Sequence, residues 1–301
     1  VVEEAATLIN EAQKPFLLIG QGIMLSNAEN ELLEFVEKSG IPIASTLLGL
    51  GAFPNNHPQY VGFLGMHGDY APNIKTNECD VLIAIGMRFD DRVTGDVSRY
   101  AKQAKVVHVD IDASELNKII QADVAVHADA KEVLKLLSEL AHKRQLAAWL
   151  QEFKDAKTIE VETLQENAKK LFSEEIKMDE VVKMLSEITK GEAVIVTDVG
   201  QHQMLTARYY QYNKSKSNVT SGGLGTMGFA LPAAIGAKFG APEKLVVAII
   251  GDGGFQMTLQ ELGTILQSKV DIKIVILNNR FLGMVRQWQQ MFFEKRYSFT
   301  Q

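Results

Sequence analysis

Short apolar runs alternate with stretches of helical spacing along nearly the whole chain. An amphipathic helical pattern opens it at Val1. Asn27–Ser39 and Ala130–His142 carry the same spacing, the latter with Leu134, Leu137 and Leu140 on one face. Phe16–Gly20, Ile41–Thr46, Asp80–Met87, Lys105–Val109 and Val124–His127 are runs of strand length. Such alternation predicts a doubly wound parallel sheet. From His142 to Lys177 the chain turns polar and charged; it reads as a partly helical linker, with Trp149, Leu150 and Phe153 as docking points. A second α/β pattern follows: helix Met178–Ile188, strand Ala193–Asp198, helix Gly200–Tyr210, short strand Asn218–Thr220, a Gly-rich turn Ser221–Gly228 and helix Met227–Phe239. Leu245–Ile250 and Ile272–Leu277 then read as buried parallel strands joined by a helix over Thr258–Lys269. The predicted fold is α/β: two doubly wound domains, residues 1–141 and 178–301, with mainly parallel sheets flanked by helices and a linker at 142–177.

The 301 residues are 46% hydrophobic and suffice for two globular cores. A net charge of −6 without a long basic run argues against nucleic acid as a partner, and no apolar stretch is long enough for a membrane helix. The lone Cys79, between Glu78 and Asp80, has no internal disulfide partner; it reads as a small core residue and fits a reducing cytoplasm. Both ends read as cuts. Val1 lies inside a helical pattern with no initiator Met or signal-peptide layout, and Gln301 follows an aromatic, charged cluster that reads as mid-domain. The chain therefore reads as a fragment whose second domain is truncated at its C-terminus.

Candidate chemistry concentrates where the last two strands end. Gly251-Asp252-Gly253 closes one apolar run and Asn278-Asn279 the next, with residues 254–277 between them. Parallel strands joined by a helix would place Asp252 and Asn279 side by side at a carboxyl edge, where open α/β sheets bind ligands. A carboxylate and an amide oxygen suit Mg²⁺, which keeps phosphate and water as further ligands, and the glycines admit a diphosphate to the backbone. Either piece alone reads as no more than a strand-ending turn. Gly200, Gln201 and His202 open a helix, whose free N–H groups attract anions, although His202 alone reads as a solvated first-turn residue.

With these two motifs at this spacing, the chain resembles the thiamine diphosphate enzymes. The resemblance implies metal ligation by Asp252, Asn279 and the backbone carbonyl of Phe281. It also implies diphosphate contacts from Gln201, His202, Gly253 and Gly254, and aminopyrimidine contacts from the Gly225 carbonyl and Met227 N–H. The Met227 side chain would bend the cofactor from beneath. RFDDRVTG from Arg88, VGQHQM from Val199, TSGGLGTMGFALPAAIGA from Thr220 and GMVRQWQ from Gly283 are similar to acetohydroxyacid (acetolactate) synthase catalytic subunits, over essentially the whole chain. That family decarboxylates pyruvate and joins the two-carbon unit to pyruvate or 2-ketobutyrate, toward branched-chain amino acids. Met284 and Val285 would then contact thiamine diphosphate and Trp288 would line the acceptor pocket, where an indole can favour 2-ketobutyrate by about 1–3 kcal/mol. By spacing alone, Trp288 is equally a core residue. The family's activating Glu comes from a separate domain of a neighbouring chain, absent from this sequence, so the fragment is expected to be inactive alone. The resemblance further implies homodimers or tetramers with shared active sites, and a small regulatory subunit.

In the first domain Gly20-Gln21-Gly22 lacks the third glycine of a dinucleotide fingerprint, and Arg88, Asp90, Asp91 and Arg92 read by spacing as a surface ion-pair cluster. The resemblance instead implies FAD without a net redox role. Its matched positions are Gly20, Gly22, Thr46, Leu47, Gly65, Met66, His67, Arg88, Asp90, Arg92, Asp110, Ile111, Asp129 and Ala130. Pyruvate oxidase and glyoxylate carboligase are the nearest enzyme alternatives; a non-catalytic nucleotide-binding module is the alternative outside enzymes.

Overall fold

The structure is a computed structural model describing residues 1–170 and 176–301. It divides into two compact units, Val1–Glu174 and Glu175–Gln301. The first contains strands β1 (Pro15–Ile19), β2 (Ile43–Ser45), β3 (Tyr60–Phe63), β4 (Val81–Ile85), β5 (Lys105–Asp110) and β6 (Val124–His127). Its helices are α1 (Val2–Glu11), α2 (Gly22–Leu25), α3 (Glu29–Ser39), α4 (Tyr70–Lys75), α5 (Asp91–Thr94), α6 (Ala130–Leu140) and α7 (Ala147–Lys170). All strand pairs are parallel, in the order β3-β2-β1-β4-β5-β6. This is the doubly wound order in which the chain reverses direction of growth between β1 and β4.

Covering on both faces explains why the central strands are continuous apolar runs. Leu17, Ile19, Ile83 and Ile85 point into one core with α1, α3 and α6, whereas Phe16, Leu18, Leu82 and Ala84 point into a second. The second core is closed by Trp149, Phe153 and Ala156 of α7. Much of the segment read as a linker is therefore a helix docked on the first sheet; its residues 171–175 lie outside the described residues. The Trp149 Nε1–H donates to the Pro15 carbonyl at 2.9 Å, and Lys14 and Lys75 approach its ring at 4.8 and 5.6 Å.

Two local readings need correction and a third holds. The strand β3 was not expected; it has only four residues, and Gly62 within it takes φ +124°, which weakens its strand signature. On α6 the buried face is Val133, Leu134 and Leu137, whereas Leu140, in the last turn, is 40% exposed. Cys79 is buried as expected, its thiol pushed up to about 12 by burial, with Asp80 adding to the shift.

The second unit contains α8 (Met178–Thr189), β7 (Val194–Thr197), α9 (Gln201–Tyr209), β8 (Asn218–Thr220), α10 (Ala230–Gly240), β9 (Val246–Gly251), α11 (Asp252–Thr258), α12 (Glu261–Ser268), β10 (Lys273–Leu277) and α13 (Gly283–Phe292). Its parallel sheet runs β10-β9-β7-β8, with Ala230, Leu231 and Ala234 of α10 packed against β7 and β9. The helix α10 starts three residues later than its pattern predicts because Gly228 takes φ +83°. The helix expected over Thr258–Lys269 is α12; the preceding α11, which already contains Gly253 and Gly254, was not expected. The strand β10 is not buried throughout: among the described residues it is the edge strand, paired only with β9, and it buries only Leu277. Among the described residues, no helix is long and apolar enough to cross a membrane.

Candidate functional site

Register decides what meets at the carboxyl edge of the second sheet. Leu277 pairs with Gly251, so Asp252 and Asn279 leave neighbouring strands at the same level. Thr197 pairs with Ile249 on one side and Thr220 on the other, which brings the start of α9 and the Gly-rich turn to that edge too. These segments enclose a cavity of 420 Å³, lined by Gly200, Gln201, His202, Gly225, Met227, Gly251 to Gly254, Asn279, Phe281, Met284, Val285 and Trp288 among others.

The glycines permit close approaches. A Cβ on Gly200 or Gly251 would stand 2.8 or 2.9 Å from His202 Cε1, so the imidazole fits only because both positions lack one. His202 is 6% exposed, which rules out the solvated reading. Burial holds its pKa below the ordinary imidazole value against the opposing charges of Asp198 and Asp252, and its Nε2 has no partner among the described residues. The Asn279 Oδ1 accepts from the Phe281 N–H at 3.0 Å, while its amide donates to Gln201 Oε1 at 3.3 Å. The Gln201 amide donates in turn to Gln287 Oε1 at 3.0 Å, so this side chain spans from the β10 loop to α13. The Met227 terminal methyl group, Cε, comes within 3.6 Å of where a Gly253 Cβ would be. Trp288 is no core residue: it is 43% exposed and packs on Phe292 with ring centroids 4.7 Å apart.

Residues 198–301, which carry all of this cavity, match the thiamine pyrophosphate enzyme C-terminal TPP binding domain, and residues 2–137 match the thiamine pyrophosphate enzyme central domain. The chain belongs to the thiamine pyrophosphate enzymes. It is 44% identical over 299 residues to the acetolactate synthase large subunit of Buchnera aphidicola subsp. Schizaphis graminum, covering 99% of this chain and 52% of that protein. It is 44% identical over 303 residues to the acetolactate synthase large subunit of Lactococcus lactis subsp. lactis (99% and 51% covered). Identity to the acetolactate synthase isozyme 3 large subunit of Escherichia coli K12 is 42% over 299 residues (99% and 52% covered). The chain thus spans about half the length of the curated relatives it matches.

In the central domain of this thiamine pyrophosphate enzyme, the positions considered for a nucleotide follow the carboxyl ends of all six strands. Gly20 and Gly22 follow β1, Thr46 and Leu47 follow β2, and Gly65, Met66 and His67 follow β3. Arg88, Asp90 and Arg92 follow β4, Asp110 ends β5 before Ile111, and Asp129 and Ala130 follow β6. Local structure already accounts for several of them. A Cβ on Gly22 would stand 2.5 Å from Gly86 Cα, so this glycine permits backbone packing between the β1 and β4 turns. Asp90 accepts from the Arg92 and Val93 N–H groups, Asp110 from that of Asp112 and Asp129 from that of Lys131. Arg88 and Arg92 are 59% and 69% exposed and lie 3.7 and 3.2 Å from Asp90 and Asp91, the surface ion-pair arrangement expected from spacing.

Two side chains at or beside this cavity were given no role in the sequence reading. Gln287 carried no pattern to mark it. Asp198 did have a signal, because it ends an apolar run two residues before Gly200, as Asp252 follows Gly251.

Proposed function

We propose that this chain holds thiamine diphosphate and Mg²⁺ in the second unit and is the cofactor-bearing part of an acetolactate synthase-type carboligase. The observation that carries the reading is the convergence of the β7, β8, β9 and β10 carboxyl ends on one 420 Å³ cavity, within the region matching a TPP binding domain.

The donor set fits the cofactor. Asp252, the Asn279 amide oxygen and the Phe281 carbonyl are hard oxygen donors that would hold Mg²⁺ together with the diphosphate. The His202 Nε2 is a buried polar atom lacking a partner at the cavity wall, and Gly253 and Gly254 leave the backbone open. When bound, thiamine diphosphate supplies the electron sink for decarboxylating a 2-ketoacid and passing on the two-carbon unit. The chain's own groups bind and orient. Gln201, His202 and the backbone at Gly200, Gly253 and Gly254 receive the diphosphate, and Gly225 and Met227 the ring system. Met284 and Val285 of α13 also face the cofactor, and Trp288 borders the acceptor side, where pyruvate and 2-ketobutyrate differ by one methylene.

The full reaction belongs to the complete catalytic subunit, with oligomeric shared sites and a small regulatory partner. FAD is proposed for the carboxyl edge of the first sheet, with Arg88 and Arg92 facing its pyrophosphate, and the buried Cys79 suits a cytoplasmic setting. Calorimetric titration of thiamine diphosphate with Mg²⁺ and then with EDTA tests the central reading. Metal-dependent binding that disappears in Asp252→Ala is expected; equal affinity with and without Mg²⁺ in the unaltered chain would remove the metal assignment, and no binding would remove the cofactor assignment.

A further inference from the structure

Beside the cavity-lining residues Val199, Gly200 and Gly254 lies a fully buried carboxylate, Asp198, to which no cofactor contact has been given. Its Oδ1 accepts from the Val199 N–H at 2.9 Å and the Gly228 N–H at 3.1 Å, and its Oδ2 from the Ala230 N–H at 3.0 Å. These donors belong to separate segments: the entry to α9, the end of the Gly-rich turn and the first residue of α10. A Cβ on Gly254 would stand 2.8 Å from the Asp198 Cγ, so the backbone of α11 also rests against this carboxylate. The N-terminal N–H groups of α10 suit a negative charge placed there.

Each of these segments carries a cavity residue: Gln201 and His202, Gly225 and Met227, Asp252 and Gly253. We propose that Asp198 is the positioning residue of the cofactor site, setting the β7–α9 loop, the Gly-rich turn and the start of α11 at fixed separations. Its two oxygens are the only side-chain atoms bonded to both the β7 terminus and residues 228–230 in the hydrogen bonds described. The proposal rests on the thiamine diphosphate reading for the ligand, but the ordering of the loops does not.

Asp198→Asn tests it with little change of volume, because one oxygen becomes an NH₂ group that faces at least one backbone N–H. Amide hydrogen exchange of the ligand-free chain is read by segment, and thiamine diphosphate affinity is measured with Mg²⁺. Exchange over 221–230 should accelerate by about tenfold or more, the consequence of a buried donor left unsatisfied, while 194–197 and 246–251 keep their protection. Affinity for thiamine diphosphate should fall by about tenfold or more. Unchanged exchange over 221–230 would overturn the proposal, as would uniform acceleration through the second unit, which marks a general stability role. Equal cofactor affinity in the two proteins would also overturn it. If the unaltered chain binds no thiamine diphosphate, the cofactor reading fails while the exchange data still decide the role of Asp198. If Asp198→Asn does not fold, Gly254→Ala displaces the carboxylate without removing it, and the exchange pattern alone decides, because Gly254 itself borders the cavity: faster exchange over 221–230 than over 194–197 and 246–251 is expected, and unchanged or uniform exchange would overturn the proposal.

Discussion

Replacing Gly254 by alanine sets two opposed effects against each other. Gly254 lies inside α11, where alanine is favoured by helix propensity by about 0.8–1 kcal/mol. Against this, the new Cβ would stand 2.8 Å from Asp198 Cγ, whereas carbon atoms pack at about 3.5 Å, so one group must move by about 0.7 Å. Asp198 is fully buried, and its Oδ1 bonds of 2.9 and 3.1 Å would both stretch beyond useful length if it moved that far away from Val199 and Gly228. Hydrogen bonds to a charged acceptor contribute about 1.5–3 kcal/mol each, so the expected net effect is a loss of about 2–5 kcal/mol. Gly263→Ala is the matched control. Gly263 lies on α12, and a Cβ there meets nothing within 4 Å, so the same substitution should stabilise by about 0.5–1 kcal/mol. Urea unfolding followed by circular dichroism resolves the outcome, with the two variants moving the second unit's transition in opposite directions. A Gly254→Ala protein as stable as the parent would refute the claim that Asp198 is held immobile.

Two further outcomes concern the first unit. His108 is fully buried, with Nε2 2.9 Å from the Met87 carbonyl, and burial lowers its pKa below 6.5 despite that bond and the charges of Asp110 and Glu115. The unfolded chain therefore binds the proton more tightly: the associated stability is present above pH 6.5 and is lost as pH falls through that value toward the lower folded pKa. The loss should reach at most about 1.4 kcal/mol per pH unit, and urea titrations from pH 7 to 5 should show a shallower slope in His108→Gln; an equal slope would exclude this histidine as the source. Trp149→Phe keeps an aromatic ring but leaves the Pro15 carbonyl without its 2.9 Å donor, and should cost the first unit about 1–3 kcal/mol. An unchanged midpoint for that unit's transition would show that α7 is not anchored through the indole.

Hydropathy patterning and local motifs made much of this protein legible. Runs such as Val81–Ile85 and Val246–Gly251 are apolar because both sheet faces are covered, and that signal is contained within five or six residues. Asp252 and Asn279 were recognisable for the same reason, as polar residues following such runs. Periodicity reports which side of an element is apolar; it does not report what covers that side. Hence Leu140 could be counted with Leu134 and Leu137 although the last turn of α6 leaves it exposed, and β10 could resemble an interior strand while lying at an edge. The largest omission was Asp198, whose partners at Gly228 and Ala230 are 30 and 32 residues away along the chain. Contacts of that range follow from strand order and register, which bring the four strand ends together; only in the folded sheet do one carboxylate and two distant N–H groups share a site.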